Sequence, residues 1–324
     1  MKKILTLIIL YFLLSSCETA LDIELPSIQS KLVINSYLIT DEYWDNRSQF
    51  LLVSNSIAGM GTLDDFIYTD SLPVIDFAHA IINKIDNENN VVIHEYPLEF
   101  NTSCYCYINQ SFTPEENTTY ELQVQVDGFP SIKSKETMPL RPKYIIEDFQ
   151  LNSDIDQLEE NDLCEFKLIL QDTPDQNNYY KLRIVMVNTF NEDVSSCRYE
   201  VHDPSFLIPI NRYNSSNTYF KGKNGYFTDK LFNGEEKSLF IKVDKPKGSY
   251  DHFYIELISY SENLYNFNLT RREQRRDSDN FLFNSEAIFI DSNIEGGYGI
   301  FGGRARVRNA YIPTYYPMGG WVEY

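Results

Sequence analysis

The sequence predicts a mainly β protein: an antiparallel N-terminal sandwich followed by a larger β-rich unit that carries about one helix. Three observations point there. Tyr120 to Asp127 alternates apolar and polar residues over eight positions, the trace of a strand with one face buried and one wet. β-Branched and aromatic runs recur at short spacing with no amphipathic helix between them, which favours a sandwich over an α/β fold. Finally, Pro139 and Pro142 interrupt the pattern. Proline removes a ladder donor and restricts the residue before it, so 138–142 separates a unit at 31–140 from one at 141–324.

Taken in order, the strand signals begin at 31–38 (Lys-Leu-Val-Ile-Asn-Ser-Tyr-Leu) and 48–54. Segments 77–85 and 91–96 flank Asp86-Asn87-Glu88-Asn89-Asn90, a polar turn of hairpin type. After 120–127, Gly128 and Pro130 turn the chain and 131–137 returns it. Further strands are expected at 165–171, 179–187, 238–243 and 252–259. The one strong helix candidate is 259–276, with Leu264, Phe267 and Leu269 on one side. Arg271, Arg272, Arg275 and Arg276 lie near its end, where the helix dipole favours cations.

The chain opens with two lysines, an 11-residue apolar run from Ile4 to Leu14, and Leu14-Ser15-Ser16-Cys17. This is a secretory leader, too short to span a bilayer as a helix. The cysteine after Leu-Ser-Ser resembles a bacterial lipobox. Residues 1–16 are expected to be cleaved and Cys17 to carry the lipid, with 17–30 as an acidic tether. Several acyl chains anchor stably where one alone does not. The formal net charge is -19, and loss of Lys2 and Lys3 leaves 26 basic against 47 acidic residues. That balance argues against nucleic acid and against direct attraction to anionic headgroups.

Four further cysteines are Cys104, Cys106, Cys164 and Cys197. An exported chain permits disulfides, and Cys164 with Cys197 is the favoured pair, since a Cys-Tyr-Cys bridge closes a very small ring. No metal site is expected: Cys-x-Cys lacks the usual spacer and no histidine lies nearby.

Near the C-terminus, five glycines fall within residues 296–303. They signal turns or close backbone approach and fit neither a phosphate loop nor a dinucleotide fingerprint. Two readings stand for this block, a tight hairpin packing the second unit or a contact that meets or positions a partner through Gly299, Ile300 and Phe301. Arg304, Arg306 and Arg308 alternate, so one strand face shows three arginines. On so acidic a chain that face either pairs charges internally or receives an anion or partner.

Several segments together carry a family resemblance: Cys17, Lys31-Leu32-Val33-Ile34, Ala78 to Ile82, Thr119-Tyr120-Glu121-Leu122, Asp172 with Asn178-Tyr179-Tyr180-Lys181-Leu182, Phe227-Thr228-Asp229 with Phe232-Asn233-Gly234, Ser259 to Tyr265, and Ser292-Asn293-Ile294 with Gly299-Ile300-Phe301-Gly302. The chain resembles Bacteroidota outer-membrane lipoproteins known only as a domain of unknown function and commonly encoded beside SusC-like TonB-dependent transporters. Gly296-Gly297 and Tyr298 depart from the single glycine usual in the last block. The resemblance implies an N-terminal immunoglobulin-like or transthyretin-like domain and work at the outer membrane, facing the cell surface, beside such a transporter or another outer-membrane protein. It implies no chemistry.

The residues themselves offer little for catalysis. His79, His94, His202 and His252 belong to no metalloprotease pattern, there is no Gly-x-Ser-x-Gly elbow, and adjacent acids such as Asp64-Asp65, Glu115-Glu116, Glu159-Glu160 and Glu235-Glu236 read as solvated faces. The expectation is a non-catalytic lipoprotein without a cofactor that binds a ligand or caps a transporter. A structural subunit of an envelope assembly or secretion complex is the alternative, and a surface-attached hydrolase the weaker one.

Overall fold

The computed structural model describes residues 30–40, 49–56, 74–151, 162–188, 193–207, 219–244, 252–278 and 289–311. The leader, Cys17 and all of the tether but Ser30 lie outside them. Among the described residues the protein is mainly β with one helix, in two sheets.

The first half is built from β1 (Leu32–Thr40), β2 (Gln49–Asn55), β3 (His79–Ile85), β4 (Val92–Asn101), β5 (Cys106–Ile108), β6 (Thr119–Gln125) and β7 (Ile132–Thr137). Alternation in sequence becomes alternation in burial: Leu32, Ile34, Ser36, Leu38 and Thr40 face inward along β1, and Tyr120, Leu122 and Val124 along β6. The β3–β4 turn is closed by Asp86, whose carboxylate accepts from the Glu88 N–H at 2.9 Å and the Asn89 amide at 2.8 Å. Strand β4 pairs β3 over most of its length and β5 at Glu99 to Asn101. It thus carries the chain from one layer to the other around a core of Ile34, Leu51, Ile82, Phe112, Tyr120 and Leu122.

The second half comprises β8 (Lys143–Leu151), β9 (Asp162–Gln171), β10 (Tyr179–Asn188), β11 (Asp193–Ser196), β12 (Tyr199–Val201), β13 (Phe220–Gly222), β14 (Gly225–Thr228), β15 (Glu236–Asp244), β16 (His252–Tyr260), α1 (Glu262–Ser278) and β17 (Tyr298–Tyr311). A five-stranded sheet, β13-β12-β15-β9-β8, covers β10 and β16 across a second core. Tyrosine hydroxyls bolt the layers together. Tyr144 on β8 donates to the Ile255 carbonyl at 2.6 Å, and Tyr199 on β12 to the Leu182 carbonyl at 2.7 Å. A buried tyrosine finds a partner for its polar end in this way, which accounts for part of the high tyrosine content.

Strand β17 joins the halves. Its first part, Tyr298 to Ala305, runs parallel to β1, and its later part, Arg304 to Tyr311, runs antiparallel to β16. One 12-stranded sheet therefore passes through both halves. The parallel seam puts a parallel neighbour beside β1 of the expected antiparallel N-terminal sandwich; its strands come from opposite ends of the chain, so no hairpin dictates their direction. The glycine block is no hairpin: Gly296 and Gly297 form a turn, Gly296 with a φ of +83°, that leads into this strand, and Gly299, Gly302 and Gly303 lie within it. At Gly299, φ is +111° and a Cβ would fall on the Ile34 carbonyl oxygen. At Gly302, a Cβ would sit 2.7 Å from Leu264 Cβ, so the bare backbone lets α1 lie against the sheet.

Helix α1 begins after Ser261, whose carbonyl accepts from the Tyr265 N–H at 2.9 Å. Leu264, Tyr265 and Phe267 bury against Tyr179, Tyr226, Ile258, Tyr260 and Ile300. Glu136 of β7 reaches Ser261 and Asn263 at the start of this helix, and burial pushes its carboxyl up to about 7.

The cysteines correct the sequence reading. Cys104 and Cys106 are bonded, with Cα atoms 5.2 Å apart, and Tyr105 between them takes a positive φ of 49° that closes the small ring. Cys164 and Cys197 are buried free thiols. Cys164 lies on β9 and Cys197 leads into β12, strands that flank β15 on opposite sides. Next-but-one strands are about 9.5 Å apart, beyond the span of about 7 Å that a disulfide bridges.

Two outcomes follow. Gly299→Val forces β1 and β17 apart and should cost about 3 kcal/mol or more, read as a lowered midpoint in urea; an unchanged midpoint would contradict the seam. Glu136 binds its proton more tightly folded than unfolded, where its value is near 4.5. Its contribution is full below pH 4.5 and lost as pH rises through about 7. Glu136→Gln should therefore flatten the fall in melting temperature between pH 5 and pH 8.

Candidate functional site

The joined sheet has an inner face, which packs both cores, and an outer face that α1 covers only in part. Residues directly opposite in a ladder share a face, and the registers of β17, β16 and β10 lay out three rows. Arg304, Tyr260 and Tyr179 form the first row. Arg306, Ile258 and Lys181 form the second, and Arg308, Glu256 and Arg183 the third. Five cations and one carboxylate thus occupy nine adjoining positions.

Glu256 is fully buried and gathers three of the cations. Arg183 approaches its Oε2 at 3.2 Å and Arg306 its Oε1 at 3.2 Å, and the Arg308 Nε donates to the same Oε1 at 2.8 Å. The Arg308 Nη2 also bonds this carboxylate. Burial holds Arg306 below the usual guanidinium range, at about 10. Arg308 further lies over the Tyr254 ring, 4.5 Å from its centre.

Lys181 and Arg304 are placed differently. Among the described residues neither has a carboxylate within ion-pair reach. Lys181 lies 5.2 Å from the centre of the Tyr226 ring, which also faces Arg272 at 5.8 Å. Arg304 stands beside Tyr37 of β1, with Arg271 of α1 against the same hydroxyl; the two guanidinium groups offset part of the rise that burial gives Tyr37. A second polar centre lies at the start of β10. Asp172 accepts from the Tyr180 hydroxyl at 2.6 Å and the Gly234 N–H at 2.8 Å. Asp229 accepts from the Asn178 N–H at 2.8 Å and its side-chain amide at 3.1 Å. The knot ties the β9–β10 loop to the β14–β15 loop, which is remote from it in sequence.

The expected contact residues separate under this geometry. Ile300 and Phe301 are fully buried, in the helix–sheet cluster and the first core respectively, and Gly299 lies under the Ile34 carbonyl. The Ile300 and Phe301 side chains cannot touch a partner, because period-two alternation inside a sheet sends each to one packed face or the other, while Gly299 is half-buried and serves the close approach of β1. Arg306 and Arg308 belong to the internal pairing on Glu256. Of the residues singled out, Arg304 alone keeps the anion alternative, and Lys181, Arg271 and Arg272 join it. Lys181 entered the sequence reading only as part of a resemblance segment, although it alternates with Arg183 along β10.

His79, His94 and His202 are exposed, and His202 pairs with Glu200. Glu115 meets Lys84 at 2.6 Å and Glu116 meets Arg141 at 2.8 Å, whereas Asp64, Asp65, Glu159 and Glu160 lie outside the described residues. A depression of about 320 Å³ on the five-stranded sheet, lined by Glu165, Lys167, Glu200, His202, Phe240 and Lys242, is crossed by the pairs Lys242–Glu165 and Lys167–Glu147.

Removing Glu256 tests the centre of this arrangement. Glu256→Gln removes the buried carboxylate that three guanidinium groups share, and breaking a buried pair from one side costs about 3 kcal/mol or more. The variant should unfold at markedly lower urea; a loss under about 1 kcal/mol, the range of surface pairs, would mean that the cluster does not stabilise the sheet.

No curated protein matches the chain. A solved structure of trypsin-activated alpha-2-macroglobulin from Escherichia coli is similar at 9% identity over 72% of this chain, with a TM-score of 0.18. The chain spans 14% of that protein's length, and a likeness at this score carries no argument. The family model described as Domain of unknown function (DUF4249) matches residues 18–309. With nearly its whole length covered, the chain belongs to that family.

Proposed function

We propose that the mature protein is an outer-membrane lipoprotein, tethered through Cys17, that serves as a non-catalytic binding or capping subunit of a SusC-like TonB-dependent transporter. The observation that carries this reading is the junction at Cys17. The family region starts at Glu18, directly behind the cysteine that follows the leader. Fourteen residues then separate Cys17 from Leu32, the first residue of β1. At roughly 3.3–3.6 Å per residue such a segment reaches up to about 50 Å, enough for a lipid-held body to rest on a neighbouring membrane protein. The acidic surface supports a body held by its lipid and not by attraction to headgroups.

A structural role in an envelope assembly has one observation of its own. Val91, Val92 and Ile93 are 51%, 46% and 55% exposed at the start of β4, where β5 does not reach. An apolar strand edge of this kind invites pairing with another chain.

Cys17→Ala tests the tether, because the acyl chains supply membrane retention. The variant should leave the membrane fraction after high-salt and carbonate washes, and a variant that still sediments would overturn the anchor. Affinity purification of the wild-type protein from detergent-solubilised outer membrane tests the partner. A TonB-dependent transporter in the eluate is the expected result, whereas recovery of an assembly complex that Ile93→Asp releases would favour the second reading.

A further inference from the structure

From the outer sheet face we infer that Lys181, Arg304, Arg271 and Arg272 form a binding site for an oxyanion, the carboxylate or phosphate group of a small solute. The inference concerns the folded body and does not depend on the lipid anchor or on the transporter. It starts from an imbalance. The chain carries 47 acidic residues against 28 basic ones, yet this face gathers five cations, on β10 and β17, around one carboxylate on β16. Glu256 already has three guanidinium partners. Lys181 and Arg304 flank Ile258 and Tyr260 from opposite strands with no carboxylate in reach among the described residues, and the helix sets Arg271 and Arg272 over the same area.

The cations oppose one another. Lys181 is pulled down to about 7, first by burial and then by the charges of Arg183 and Arg304, with Glu256 acting in the other direction. Half-buried like charges such as Lys181 and Arg304, with no carboxylate in ion-pair reach among the described residues, destabilise a fold, and arrangements that cost stability are concentrated where a ligand completes them. An oxyanion between Lys181 and Arg304 supplies the missing charge. The planar Arg304 fork offers paired donors and Lys181 a compact point charge, and the Tyr37 hydroxyl beside Arg304 and Arg271 adds a neutral group. The alternative is that Lys181 merely extends its ammonium to water along an apolar stem.

Calorimetric titration of the full-length protein in non-ionic detergent separates the two, with inorganic phosphate in one arm and citrate in the other. Saturable binding of at least one anion is expected, and phosphate alone or citrate alone assigns the preferred group. Lys181→Met and Arg304→Gln should each weaken it about tenfold or more, the scale of one charge-assisted contact. Arg198→Gln, a change at an exposed arginine on the other sheet, should not. Without anion, Lys181→Met should melt at or above the wild-type temperature, and it should lose the rise that the anion gives the wild type. If neither anion binds, or if binding survives in the Lys181→Met/Arg304→Gln double variant, there is no such site. If Lys181→Met does not fold, Arg304→Gln alone decides. Failure here leaves the membrane reading standing, since that is tested by Cys17→Ala and co-purification.

Discussion

The rest of the structure depends on the parallel seam between β1 and β17. A strand from residues 32–40 lies against one from residues 298–305, so the ladder closes only after nearly the whole chain has been placed. Long-range pairing of this kind carries a high loop-closure entropy and slows folding. What the seam offsets that with is burial. Ile294 and Phe301 complete the core of the first half, while Ile300 on the opposite face seats the helix. Gly299 is the condition for all of it, because the backbone there takes a left-handed φ under the Ile34 carbonyl and any side chain would hold the strands apart.

Secondary joints reinforce the seam, and each uses backbone groups that a strand edge would otherwise leave unpaired. The Asn293 side chain accepts from the Phe301 N–H at 3.0 Å and donates to the Phe301 carbonyl at 2.7 Å, standing in for a strand partner. Ser261 exchanges bonds with Gly303 at the start of the helix. Glu295 and Lys133 exchange backbone bonds across the two halves. The segments that carry the family resemblance, 259–265, 292–294 and 299–302, meet at these joints. Their chemistry is that of assembly.

Much of the fold was legible because burial and alternation report on each other. β6, β1 and the β3–β4 turn could be read one residue at a time from apolar spacing and from Asp86 and Asn90. Pairing was not legible, since nothing in 31–38 names 298–305 as its neighbour. The glycine block pointed to a turn because glycine marks both turns and close approaches, and only the position of Ile34 tells them apart. Arg306 and Arg308 were found by period two, but their partner Glu256 lies fifty residues upstream by number in a run of apolar residues. A charge isolated in an apolar strand was the available signal for Glu256, and the alternation of Lys181 with Arg183 was the signal on β10. The cysteines show the limit from another side: a short loop with a residue able to take positive φ could close where two distant thiols, separated by a strand, could not.

The first half is incomplete without the end of the chain, which supplies Ile294 and Phe301 to its core. Residues 18–140 produced alone, followed by thermal unfolding and amide hydrogen exchange, test this most directly. The fragment lacks β17, Ile294 and Phe301, so it should show no cooperative melting and little protection in β1. A sharp transition, with β1 amides protected as they are in the full-length protein, would contradict the claim that β17 closes both halves.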